Sequence, residues 1–387
     1  MNRPIYLDYH ATTPTDPRVV EAMLPFFTEH FGNPASRNHA FGWRAAEAVE
    51  RAREQVARLI GAHHREITFT GGATESNNTI IRGVARAARD RGSHVVTVST
   101  EHPSVLETCL ALREEGLTVT VLPVEPDGLL DLDRLEAALA PGTILVSVMA
   151  ANNEIGVLQP LAAIAAIARR AGALVHTDAS QAVGKVPFDV AAAGVDLASF
   201  TAHKMCGPKG VGAMYVRRRS LRLPPLVHGG GQERGLRSGT LNVPAIVGFG
   251  AAAEIARHEV EDEGRRVGAM RDALLEDLRE RVPGLRVNGS LSARLPHNLN
   301  VSFPGVEGES LAMACDDIAV SAGAACGTAT ATPSRILTAI GVEPDLALAS
   351  LRFGLGRWTT ADEVAYAAAK VASIVSRLRQ QYLEVRP

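Results

Sequence analysis

The sequence predicts a doubly wound α/β fold: a mostly parallel sheet of about seven strands, followed by a smaller α+β unit. Three observations carry this. Seven β-rich runs are almost continuously apolar instead of alternating, as strands buried on both faces are. Stretches of helical periodicity separate most of them, as crossovers between parallel strands require. Past about residue 255 the texture changes to a long charged helix, short strands and a final amphipathic helix.

The elements follow in order. The spacing predicts a helix from Trp43 with Ala46, Val49, Val56, Leu59 and Ile60 on one face, stopped at Gly61. "EITFT" (66–70) then turns through Gly71 and Gly72 into a helix starting near Ala73 or Thr74. The runs "HVVTVS" (94–99), "LTVTVLPV" (117–124), "TILVSVM" (143–149), "ALVHTD" (173–178), "LASFT" (197–201) and "GVGAMYV" (210–216) supply the other strands. Helices are expected at 104–115, 130–140 and 159–171. The second unit reads as a helix over 252–281 and short strands at 297–303 and 318–323. A C-terminal helix follows with Val364, Ala368, Val371, Val375, Leu378 and Tyr382 in register. We place the large domain at 15–255 and the small one at 1–14 and 256–387, a division that 387 residues allow.

Composition narrows the function. With 46% hydrophobic and 21% charged residues and a net charge of -2, the chain is an ordinary globular protein without the basic field that a direct nucleic-acid partner needs. The segment "MNRPIYLDYHATTP" has no apolar core of a leader, and no uncharged run of about 18 apolar residues occurs, so a cytoplasmic protein without a membrane partner is expected. Cys109, Cys206, Cys315 and Cys326 are too few and too scattered for a disulfide framework or a C-x-x-C metal site. No metal is expected.

Ligands of open α/β sheets bind at the carboxyl ends of the strands. Read there, the sequence offers a set of groups that are each ambiguous alone. The Gly71–Gly72 turn opens a helix whose free N–H groups suit a phosphate, or is a plain tight turn. His102 follows the next strand, as a structural or a catalytic imidazole. Asn152 and Asn153 are adaptable hydrogen-bond formers or ordinary turn residues. Asp178 and Gln181 sit at another strand tip, where an aspartate can simply cap a helix. Thr201, His203 and Lys204 end "LASFTAHK", and Lys204 is either a solvated loop lysine or a lysine held for its amine. One molecule uses the whole set. An aldehyde cofactor with a phosphate arm and a protonated ring nitrogen needs a lysine, a carboxylate, donors for its ring oxygen and an anion cup. That molecule is pyridoxal 5'-phosphate.

From "YLDYHATTP" and "FGNPASRNHAFG" through "FTGGATESNN", "TEHPSVL", "NNEIGVLQP", "HTDASQAVGK", "HKMCGPKGVGAMYV", "HGGGQERGLRSGT" and "AVSAGAAC" to "LRFGLGRWT", the chain resembles the NifS/IscS-type cysteine desulfurases of the class V aminotransferase family. The motifs stand in the family's order over nearly the full length. The resemblance implies fold-type I, the PLP-dependent transferase fold, and a homodimer. It implies that Lys204 carries the cofactor, His102 stacks on its ring, Asp178 pairs with the ring nitrogen and Gln181 bonds the ring oxygen. Asn153 would lie near ring and substrate, and Arg352 would bind the substrate carboxylate. Ala73, Thr74, Thr201 and His203 would bind the phosphate, with Thr240 reaching it from the other subunit. Cys326, in a small-residue stretch without apolar periodicity, would be the mobile nucleophile that takes sulfur from L-cysteine as a persulfide and hands it to a sulfur-acceptor or iron–sulfur scaffold protein.

Cys109 and Cys315 fall in apolar helix patterns and read as core thiols, while Cys206, fixed beside the lysine turn, is only a secondary candidate for a redox role. The lysine approach is Thr201-Ala202-His203-Lys204 where the family has S-G-H-K, which preserves the hydroxyl. Around Cys326 the run Ser321-Ala322-Gly323-Ala324-Ala325-Cys326-Gly327-Thr328 lacks several of the family's hydroxyls, which bears on acceptor recognition. Two rival readings share these residues: another PLP enzyme, such as an aminotransferase or selenocysteine lyase, needs no Cys326, and a non-catalytic relative would not need Lys204, Asp178 and Cys326 together.

Overall fold

The computed structural model describes residues 4–218, 221–323 and 332–385. Cys326 lies outside them. Thirteen strands are described: β1 (Ile5–Tyr6), β2 (Ile67–Thr70), β3 (His94–Val98), β4 (Thr118–Leu122), β5 (Thr143–Ser147), β6 (Leu174–Asp178), β7 (Leu197–Thr201), β8 (Gly212–Val216), β9 (Arg286–Val287), β10 (Asn298–Ser302), β11 (Ile318–Ala319), β12 (Ser321–Ala322) and β13 (Ser350–Gly354). The seven apolar runs form one seven-stranded sheet in the order β2-β8-β7-β6-β5-β3-β4. Every pairing is parallel except those of β8, which runs against both β2 and β7. Six strand ends therefore open on one edge.

Both faces of this sheet are covered, which is why its strands read as unbroken apolar runs. Val96, Val146 and Phe200 join Val56, Ile60 and Phe249 in one core. Val95, Leu145 and Leu197 join Ile80, Ile81 and Val84 in another. The second unit is a four-stranded sheet, β12-β13-β10-β9, packed with Val267, Leu274, Leu278, Val371 and Val375 in a separate core. Leu7 lies in that core, and β1 pairs in parallel with β11, so the chain's first strand is built into the second unit.

Helix Val243–Arg281, 39 residues long, links the two parts and begins well before residue 252, because Asn242 caps it and Pro244 suits its first turn. Helix Pro103–Ala111 ends earlier than expected, in turns leading to Gly116 at φ +83°. In helix Ala40–Leu59 the buried stripe is Ala45, Val49, Ala52, Val56 and Ala57. Trp43 is instead exposed, its indole Nε1 donating to Arg37 O at 2.8 Å, and Ala46 is only half-buried. Among the described residues, no helix is long and apolar enough to cross a membrane.

Candidate active site

Where the strand ends converge, a cavity of about 900 Å³ is lined by Ala73, Thr74, His102, Asn153, Asp178, Gln181, Thr201, His203, Lys204 and Arg352. Ten residues singled out from the sequence thus share one cavity. Thr240 is exposed and is not among its lining residues.

Lys204 ends a 3-10 turn that follows β7 directly, so the last strand residue and the lysine are three positions apart. Its Nζ donates to Ala11 O at 2.7 Å and to His10 O. Burial, with a smaller push from Arg352, lowers its pKa to about 8. Asp178 is the last residue of β6 and is buried. Its Oδ1 accepts the Ser180 N–H at 2.9 Å, and its Oδ2 accepts from Asn77 Nδ2 at 2.8 Å. Gln181 is gripped by His10, whose carbonyl accepts from Nε2 at 3.0 Å and whose Nδ1 meets Oε1 at 3.1 Å.

Helix Ala73–Ala87 follows β2 after two glycines, and its N-cap Gly72 supplies no side-chain cap. The N–H groups of Ala73, Thr74 and Glu75 are therefore left at the cavity by the helix geometry itself. Close packing holds this turn: a Cβ on Gly212 of β8 would lie 2.7 Å from Gly72 backbone atoms. Thr201 Oγ1 donates to Val211 O at 3.1 Å, and His203 Nδ1 meets Thr12 Oγ1 at 3.1 Å. Burial and the neighbouring Lys204 push the His203 pKa down to about 4, which keeps it neutral.

His102 is the N-cap of helix Pro103–Ala111, its Nδ1 accepting the Ser104 N–H at 3.1 Å. Its pKa is lowered, first by burial and then by Lys204 and Arg335, against a raising effect of Asp178. Arg352, on β13, donates to Asn153 O at 2.9 Å, to Asp8 Oδ1 at 2.7 Å and to Ser321 Oγ at 2.7 Å. Its Nε is buried without a partner among the described residues.

Over residues 5–366 the sequence matches the Aminotransferase class-V family profile. The chain belongs to the class V aminotransferase family. Within it, the chain is 57% identical over 381 residues to a cysteine desulfurase IscS from Anaeromyxobacter dehalogenans (strain 2CP-C), an alignment covering 98% of this chain and 94% of that protein. A solved NifS-like protein superposes with a TM-score of 0.90 at 40% identity, over 97% of this chain and 100% of that one. A structure of SspA in complex with cysteine gives a TM-score of 0.81 at 36% identity, over 92% and 100% of the two chains. Class V aminotransferases of the desulfurase branch are PLP enzymes, and the donor set fits that cofactor: an amine, a buried carboxylate and an uncapped helix N-terminus in one cavity.

The three described thiols of this class V chain are buried. Burial pushes the Cys109 thiol up to about 12 and the Cys315 thiol up to about 11, so both are protonated and inert near neutrality. Cys206 is 1% exposed, its N–H held by Thr13 Oγ1 at 2.9 Å, which removes it from contact with soluble redox partners. Asn152, offered above as a donor, instead braces its own turn: its Oδ1 accepts the N–H groups of Glu154 and Ile155. Sequence reasoning missed His10, Asn77, Ser104 and Asp8. Each lies inside a motif quoted above; the partners of His10, Asn77 and Asp8 are far along the chain, and Ser104 beside His102 reads as an ordinary helix-start serine, so no local pattern marks them.

Proposed function

We propose that the chain is a PLP-dependent cysteine desulfurase that converts L-cysteine to L-alanine and carries the sulfur as a persulfide on Cys326. The observation that carries this reading is the meeting of the Lys204 amine, the Asp178 carboxylate and the uncapped amides of helix Ala73–Ala87 in one cavity that Arg352 also lines. Lys204 would hold the cofactor covalently, Asp178 its ring nitrogen and Gln181 its ring oxygen. Ala73, Thr74, Thr201 and His203 would hold its phosphate, joined by Thr240 from a second copy in a homodimer. When bound, pyridoxal phosphate supplies an electron sink that labilises the α-proton and then the carbon–sulfur bond of L-cysteine.

The chain's own groups do the rest. Arg352 and Asn153 hold the substrate carboxylate, which fixes the α-carbon relative to Lys204. The Lys204 amine, with its pKa lowered to about 8, takes the α-proton at Nζ. His102, kept neutral by its lowered pKa, offers the thiols a hydrogen bond from the cavity wall. Overall, the carbon–sulfur bond of L-cysteine breaks and a sulfur–sulfur bond to Cys326 forms. The β-carbon takes up the proton that the Cys326 thiol loses, so no outside oxidant or reductant is needed. The cysteine held by SspA supports L-cysteine as the substrate class. A sulfur-acceptor protein, of iron–sulfur cluster assembly or another thiolation, then removes the persulfide.

The test is the fate of the sulfur. Wild-type holoenzyme given L-cysteine should release alanine and gain one sulfur atom on the peptide that contains Cys326. Cys326→Ser should keep the visible absorbance of the bound cofactor yet form almost no alanine. Full activity in that variant, or the extra sulfur on Cys109, Cys206 or Cys315, would overturn the assignment.

A further inference from the structure

Asn77 is fully buried in helix Ala73–Ala87 and directs its two amide protons to different walls of the cavity. Nδ2 donates to Asp178 Oδ2 at 2.8 Å and to Ser104 Oγ at 2.9 Å. The nitrogen, not the oxygen, must face Asp178, because the reverse would set an amide oxygen against a carboxylate. The remaining Oδ1 has no partner among the described residues, so this orientation is held by the two donated bonds.

Ser104 Oγ, already accepting from Asn77, is left with its own proton to give. His102 Nδ1 lies 2.8 Å away and takes it. The same nitrogen accepts the Ser104 backbone N–H at 3.1 Å. Two donors thus converge on Nδ1, which must present a lone pair to them, and the ring proton is left on Nε2. Nε2 has no hydrogen-bond partner among the described residues, and His102 lines the cavity.

We propose that Asn77 and Ser104 are positioning residues that lock His102 as the neutral Nε2–H tautomer and tie its ring to the carboxylate of Asp178. The bond sequence Asp178–Asn77–Ser104–His102 joins β6, helix Ala73–Ala87 and the start of helix Pro103–Ala111, so the ring and the carboxylate that would flank the cofactor keep one spacing. An imidazolium would put a third N–H into the two donors at Nδ1, and it would sit at the positive end of a nine-residue helix. The charged groups facing His102 are Asp178 on β6, Lys204 after β7 and Arg335 at the start of helix Arg335–Ala339. Glu101, next to it, is buried and held far above the usual carboxylate range by that burial and by Asp178, so it contributes no full charge. With its proton at Nε2, neutral His102 presents a hydrogen-bond donor, and no lone pair, to a group in the cavity. That use of the lock rests on the desulfurase reading, whereas the tautomer itself does not.

Nitrogen-15 NMR of the histidine-labelled holoenzyme reads the tautomer directly. Wild type should show His102 protonated at Nε2 and neutral at pH 6.5. Ser104→Ala removes the hydroxyl donor and leaves only the backbone bond at Nδ1, so the His102 pKa should rise by roughly 0.5–1 unit. Ser104→Thr, which keeps the hydroxyl, should restore the wild-type titration, and a purely structural role for Ser104 would not predict that rescue. Asn77→Leu should raise the pKa in the same direction. If that variant does not fold, the Ser104 pair decides alone. An Nδ1–H tautomer in wild type, or an unchanged titration in Ser104→Ala, overturns the proposal. An enzyme that shows the lock but forms no alanine from L-cysteine would sink the desulfurase reading and leave the lock standing.

Discussion

In the proposed reaction Lys204 has to be a nucleophile near neutral pH, and an ordinary lysine is not one. Its setting changes that: burial is the larger cause and Arg352 the next, and together they bring the pKa to about 8 despite the carboxylates of Asp178 and Asp8. Only the neutral amine attacks an aldehyde. At pH 7.5 a lysine of pKa about 8 is neutral on the order of two hundred times more often than one of pKa about 10.5. The rate at which cofactor-free protein takes up pyridoxal phosphate should therefore rise with pH and level off just above 8. A rate that keeps climbing through pH 10 would show that the cavity does not depress this amine. Arg352 is expected to matter twice, as a carboxylate ligand and as part of that depression, so Arg352→Ala should move the inflection upward as well as weaken L-cysteine binding.

At the level of elements, the proposed phosphate end of the site depends on how closely β8 approaches the turn before helix Ala73–Ala87. A Cβ at Gly212 would meet Gly72 backbone at 2.7 Å and Phe200 O at 2.8 Å, all backbone that cannot swing aside. Gly212→Ala should cost about 1–3 kcal/mol as overpacking and shift the turn, so the variant should lose cofactor on dialysis faster than wild type. Gly268→Ala is the contrast, since its Cβ would meet only Pro296 at 3.5 Å in mid-helix; it should keep cofactor and gain up to about 1 kcal/mol. Equal cofactor loss in both would refute the argument. The same contacts explain what was legible beforehand. Strand ends gave Lys204, Asp178 and His102 because each follows an apolar run whose period is local. The reversed direction of β8 was not legible, as a buried strand reads the same both ways. Nor was the buried Arg53–Glu233 pair, 2.7 Å at its closest, which pins the "HGGGQERG" loop to β2 at Phe69 N. "IAVSAG" divides into β11 and β12 in two different sheets, a split that only tertiary pairing decides.

The molecule as a whole stores neutral histidines where acid will find them. His176 bridges Ser147 and Ser199 across three adjacent strands of the central sheet and is completely buried, which pushes its pKa down to about 4. His10 and His297, stacked 4.5 Å apart between the two units, are also held well below the ordinary value by burial. In each case the unfolded chain binds a proton near pH 6.5 while the folded chain does not. Between pH 6.5 and 4 the unfolded state therefore holds more protons, and stability rises with pH across that window. Falling from pH 7 to 5, His176 alone should remove about 2 kcal/mol, with His10 and His297 adding in the same direction. Urea midpoints at pH 7 and pH 5 measure the sum. His176→Asn should lower stability at pH 7, because a buried two-ended bridge is lost, but should flatten the pH dependence by about the same 2 kcal/mol. A profile as steep in that variant as in wild type would move the acid sensitivity to other groups, and with it the claim that the central sheet is held together partly by an uncharged imidazole.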